Sequence, residues 1–237
     1  MGLRETDTEF VPPRAALFDL DGTLINSEPR SAAVWARLLR ARGITPDEAL
    51  LRRFMGRRGG DVVAELPHLF PGESLEQIFD ELWRHGQDPD LPQVAPLPES
   101  VAFLHHLHSQ GVPFALVTSA GREWAESALE WLGVRGMFRG LVTAGDVTVG
   151  KPHPQGYLGG AEILGHEPEH IVVFEDTPAG IMAGRGAGMR VVGITTTHPP
   201  EALTQADLVV EHLTQVAWPR LSLRDPEPPR SSFAGRG

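Results

Sequence analysis

The stretch "AALFDLDGTLINSEP" ends an apolar run in two carboxylates, Asp19 and Asp21, set one residue apart where burial alone gives no reason for either. Later runs end in reactive groups too. "PFALVT" closes on Thr118 with Ser119 next, "IVVFED" closes on Glu175 and Asp176, and the loop "VGKPHP" beyond "LVTAG" carries Lys151. Brought to one place, these carboxylates would repel one another strongly unless a cation neutralised them. Oxygen ligands without any Cys in the chain, and with no His fixed among them, favour Mg²⁺, which keeps several waters and bridges to phosphate oxygens. Lys151, the Thr118 hydroxyl and backbone N–H groups in the Gly-bearing turns would then donate to a phosphoryl group. Taken singly, each piece has an ordinary structural reading. The D-x-D could be a turn pair, Thr118 a strand end, Lys151 a solvated cation, and "EDTP" a helix start with Thr177 as N-cap and Pro178 at the first position. Their order at successive strand ends is what points to a metal-assisted phosphoryl site.

Something must carry those ends to one rim. Residues 15–20, 113–118, 171–176 and 190–195 read as buried parallel strands, with 140–145 and 206–211 as weaker ones. Helical patterns separate them: "ESVAFLHHLHSQG", "REWAESALEWLG", "PQGYLGGAEILG" and "TPAGIMAGRGAG". This alternation implies right-handed βαβ units and an α/β fold, a Rossmann-like open parallel sheet with helices on both faces. In such sheets ligands bind outside the carboxyl ends of the strands. Residues 28–95 differ, with four amphipathic segments in succession and no strand between them, so a small helical cap domain is expected there, inserted after the first strand. The Pro-rich "DPDLPQVAPLP" reads as the linker back. Residues 14–27 and 96–222 are thus the expected catalytic core, and residues 1–13 and 223–237, rich in Pro, Arg, Ser and Gly, the expected flexible tails.

A chain of 237 residues with 41% apolar content can build a sizeable core. Zero cysteines exclude disulfides, a thiolate zinc site and a cysteine nucleophile. The N-terminal "MGLRETDTEFVPPR" lacks the basic start and apolar stretch of a signal peptide, and no run reaches membrane-spanning length, so a soluble, cytoplasmic protein is expected. A formal charge of −10 argues against nucleic acid as a partner, since that affinity needs a basic face. A small anion can still bind where cations and N–H groups converge.

"FDLDGTL", "VTSAG", "GKPHP" and "VVFEDTPAGI" resemble, in order and spacing, the four motifs of the haloacid dehalogenase-like hydrolases. The insertion after the first motif is similar to the cap of the β-phosphoglucomutase-like subgroup, and the likeness spans residues 14–217. The resemblance implies that Asp19 is the nucleophile, forming an aspartyl phosphate, and that Asp21 is the general acid and base. It also implies that Thr118, with the backbone of Ser119 and Ala120, holds phosphoryl oxygens, and that Lys151 balances charge. Asp19, the Asp21 carbonyl, Glu175 and Asp176 would surround Mg²⁺. Arg57 and Arg58 in "FMGRRGGDVV" are the cap cations placed to reach a substrate anion, or else a solvated helix start.

Within the subgroup the motifs look closer to phosphatases of glycerol phosphate, 2-deoxyglucose 6-phosphate and sugar-alcohol phosphates than to mutases. The expected activity is a Mg²⁺-dependent phosphomonoester hydrolase for a small phosphorylated sugar or polyol, working as a monomer. A β-phosphoglucomutase-type phosphomutase uses the same residues and remains open. A non-catalytic phospho-receiver module would lack both Asp21 and the helical insertion. Ala120 stands where such phosphatases often carry Gly, and Gly156 where a bulkier residue is common, which bears on the substrate. Arg84-His85-Gly86 looks like a histidine phosphatase signature, but it follows a helical pattern, so His85 is expected to close a helix with Gly86 as its cap. His105, His106 and His108 read as a surface cluster, and Trp35, Trp83, Trp124 and Trp131 as core or cap packing.

Overall fold

The computed structural model describes residues 11–224; the tail expectations for 1–10 and 225–237 lie outside the described residues. The first strand, β1 (Ala15–Phe18), is buried at every position, as a strand covered on both faces must be. The chain then makes a tight turn into the short β2 (Ile25–Asn26) and enters four helices: α1 (Glu28–Ala41), α2 (Glu48–Arg52), α3 (Gly59–Glu65) and α4 (Leu75–Gly86). It returns through β3 (Ala95–Pro96) to α5 (Pro98–Ser109), β4 (Phe114–Val117), α6 (Arg122–Trp131), β5 (Leu141–Val142) and α7 (Gln155–Leu164). The order closes with β6 (Ile171–Glu175), α8 (Pro178–Gly186), β7 (Arg190–Ile194), β8 (Leu208–Val210), β9 (Val216–Ala217) and β10 (Ser222–Leu223).

Six strands form one parallel sheet in the order β5-β4-β1-β6-β7-β8. Alternate residues of β1 serve opposite faces. Ala16 and Phe18 pack with Phe103 and Leu107 of α5 and Leu129 of α6, whereas Ala15 and Leu17 pack with Tyr157 of α7 and Ile181 of α8. The order reverses beside β1, with β4 on one side and β6 on the other, so the loops after these three strands share one crevice. Asp19, Thr118 and Asp176 are the first residues beyond them.

The inserted helices hold an apolar cluster of their own, with Trp35, Leu38 and Leu39 of α1 against Phe54, Val62 and Ile78. Arg42 ties α1 to Glu73 and Glu81, and a Ser74–Gln77 capping box starts α4. Four details depart from expectation. Asn26 of β2 pairs with Ala95 of β3 in an antiparallel ribbon at the neck of the insertion, too short to leave a periodic signal. Order reaches past the expected tail limits, since Arg190 Nη2 donates to the Val11 carbonyl and β10 pairs with β9. Gly86 is the last helical residue of α4, with Gln87 as its cap. Of the tryptophans expected in packing, Trp35 is buried, but Trp83, Trp124 and Trp131 are exposed.

Candidate active site

Lys151, 6% exposed, is the hub of the rim. Its ammonium donates to Asp19 Oδ1 and Glu175 Oε1, both at 2.6 Å, and to the Val117 carbonyl at 3.2 Å. Glu175 is saturated: Oε1 also accepts from the Tyr157 hydroxyl at 3.1 Å, and Oε2 accepts from the N–H groups of Asp176 and Thr177 and from the Thr177 hydroxyl, each at 2.9 Å. Asp176 is the reverse case. Its carboxylate is fully buried, and neither oxygen has a hydrogen-bond partner. A buried carboxylate left in that state is costly unless a cation meets it. Asp19, Glu175 and Asp176 each offer an oxygen within 4.8 Å of the others, and because the Glu175 oxygens are already engaged, contrary to its expected place as a metal ligand, Asp19 and Asp176 are the carboxylates left to meet a hard divalent ion. Gly22, with φ of +85°, lets the first loop close over this group, because a Cβ there would stand 1.9 Å from Asp176 Oδ2.

The electrostatics follow from burial among like charges. Burial pushes Asp19 up to about 8 despite the opposing pull of Lys151, and it drives Asp176 well above the usual carboxylate range, with Glu175 and Asp19 adding to the effect. Burial also pulls Lys151 down, but Asp19 and Glu175 more than reverse this and hold it firmly cationic. Asp21 is raised by burial and held back by hydrogen bonds from Ser27 and Trp124.

The helical insertion lies against the rim. The Ser119 hydroxyl donates to the Gly56 carbonyl at 3.2 Å, Arg58 Nη1 donates to the Val147 carbonyl at 2.8 Å, and Asp61 Oδ2 accepts from the Gly150 N–H at 3.1 Å. Arg58 therefore reaches the site side, where it lines a cavity with Thr118, Ser119 and Lys151. Arg57 does not line it: its guanidinium is engaged by Glu65 of α3. The Ala120 N–H is already bonded to Thr118 Oγ1 at 3.0 Å. Among the described residues His105, His106 and His108 join no metal-holding group.

Three site residues escaped the sequence reading. Tyr157 is the only tyrosine of the chain and follows Lys151 in an apolar helical pattern, a signal that was available. Glu28 looks like an acid suited to a helix N-terminus, yet it is buried with one oxygen unpartnered, and burial together with Asp21 and Asp19 pushes it up to about 8. Trp124 Nε1 donates to Asp21 Oδ1 at 3.2 Å, which no spacing rule announces.

A Rossmann-like sheet with a helical insertion against one rim, where a lysine and buried carboxylates gather, defines an α/β enzyme. The chain belongs to the haloacid dehalogenase-like hydrolases, whose family pattern matches residues 16–194. It is 43% identical over 208 residues to validoxylamine A 7'-phosphate phosphatase of Streptomyces hygroscopicus subsp. limoneus, covering 88% of this chain and 98% of that protein. It is 36% identical over 202 residues to hexitol phosphatase A of Escherichia coli (strain K12), covering 84% and 91%. Among solved structures it superposes on β-phosphoglucomutase from Clostridium difficile with a TM-score of 0.71 at 26% identity, covering 87% of this chain and 94% of that one.

Proposed function

We propose that this chain is a Mg²⁺-dependent phosphomonoester hydrolase that releases phosphate from a small phosphorylated sugar or polyol through an aspartyl phosphate on Asp19. The observation that carries the reading is the buried, unpartnered Asp176 carboxylate next to an Asp19 already held by Lys151. Asp19 attacks phosphorus, and Asp21 gives its proton to the leaving alcohol. Asp21 then takes a proton from the water that cleaves the acyl phosphate. Lys151 meets the transferring charge beside the nucleophile, and Thr118 with the Ser119 backbone orients the phosphoryl oxygens. Asp19, the Asp21 carbonyl and Asp176 would hold Mg²⁺, with Glu175 fixing Lys151 and the Asp176 backbone from behind. A bound Mg²⁺ supplies the positive charge that these carboxylates lack.

Residues 28–95 act as the lid that keeps bulk water from the acyl phosphate. The cavity beside Thr118 and Lys151 has a volume of ≈ 20 Å³, room for about one water, and Asp19, Asp21 and Asp176 do not line it, so it is not where a sugar phosphate sits; substrate reaches those carboxylates when the lid contacts part. The relatives named as phosphatases support hydrolysis over phosphoryl return, and they support a phosphorylated sugar or polyol as substrate class. The test is a phosphate-release panel over sugar and polyol phosphates with and without Mg²⁺. Asp19→Asn is expected to lower turnover by at least about 10³-fold. Glucose 6-phosphate accumulating from glucose 1-phosphate faster than free phosphate would replace the hydrolase with a phosphomutase.

A further inference from the structure

Asp21 is held from two sides by donors that meet on the same oxygen. The Ser27 hydroxyl, just ahead of the first lid helix, donates to Oδ1 at 2.5 Å. The Trp124 indole N–H, in the first turn of core helix α6, donates to that oxygen at 3.2 Å. Trp124 is 42% exposed, so packing alone does not explain where its ring sits. An indole N–H can only donate, and an oxygen that accepts two hydrogen bonds is disfavoured as the site of the carboxyl proton.

We infer that Trp124 is a positioning residue for Asp21: its indole N–H fixes Oδ1 as the acceptor and leaves Oδ2 as the atom that carries the proton. This rests on the reading of Asp21 as acid and base. In the first half-reaction the Oδ2–H bond breaks as the phosphorus–alcohol oxygen bond breaks, and the alcohol leaves with the proton. In the second, the attacking water gives a proton to Oδ2 as its oxygen bonds to phosphorus, and the Asp19 carboxylate leaves with the electron pair. Ser27 borders the lid, whereas Trp124 belongs to the sheet side, so the Trp124 bond keeps Asp21 oriented when the lid contacts part.

The test is Trp124→Phe, which keeps a ring and removes the donor, beside Asp21→Asn, with melting temperatures recorded for both. On the best polyol phosphate, kcat is expected to fall about tenfold while KM stays within about twofold. p-Nitrophenyl phosphate separates the half-reactions, because its phenolate leaves without a proton. There, Trp124→Phe is expected to give a burst of nearly one phenolate per enzyme followed by slowed turnover, larger than the wild-type burst. Wild-type behaviour on both substrates overturns the inference. So does equal slowing of burst and steady state, which marks a merely structural role. If Asp21→Asn turns over normally, the acid/base reading itself falls. If Asp21→Asn is inactive and Trp124→Phe is normal, only the role of Trp124 is lost.

Discussion

At the scale of single residues, the site is a set of buried charges short of one cation. Asp176 concentrates that deficit, so Asp176→Asn should relieve the metal-free fold while removing a metal contact. Relief of about 1 kcal/mol would raise the melting temperature by about 2–4 °C, and Mg²⁺ should then raise it no further, as calorimetry with and without the ion would show. The pH dependence has a definite sign. Asp19 and Glu28 are pushed from ordinary values of 3.8 and 4.5 to about 8, so the metal-free folded state binds more protons than the unfolded chain. The stability they contribute is fully present below about pH 4 and is lost as pH rises through about 8. Mg²⁺ competes with those protons, so it should raise the melting temperature more at pH 8 than at pH 5. The positions of Asp19 and Asp176 were legible because each directly follows a strand in a recognisable motif, and that of Lys151 because its motif fills the loop between β5 and α7. Trp124 and Glu28 were not, because their roles are set by which helix end faces Asp21, a tertiary fact that periodicity does not carry.

At the scale of elements, the lid is held by few but specific contacts. Arg58 Nη1 bonds the carbonyls of Val147 and Ala144, and Gly56 abuts Thr177, where a Cβ would lie 2.4 Å from the Thr177 methyl. Arg58→Ala should remove about 1–3 kcal/mol of lid attachment while the cluster around Trp35 and Ile78 stays intact. The expected signature is faster hydrogen exchange at the Gly150 amide and a lower kcat, with unchanged far-ultraviolet circular dichroism. Sequence reading assigned Arg57 and Arg58 equally. The structure separates them because Glu65, the last residue of α3, pairs with Arg57, while Arg58, paired with Asp61, crosses to the sheet side.

At the scale of the whole molecule, the six-stranded sheet was readable because its strands are continuous apolar runs buried on both faces, and the lid because four helical patterns follow one another without a strand. The two short ribbons were not readable, since two residues per strand produce no period. Among the described residues no helix is long and apolar enough to cross a membrane. The ribbon at the neck sets Asn26 opposite Ala95, so the main chain departs for the lid and comes back at neighbouring points. In topological terms the four helices form a cassette on a two-rail mount: another helical module whose ends meet at the same spacing could be spliced there without rewiring the sheet or moving the rim that holds Asp19, Lys151 and Asp176.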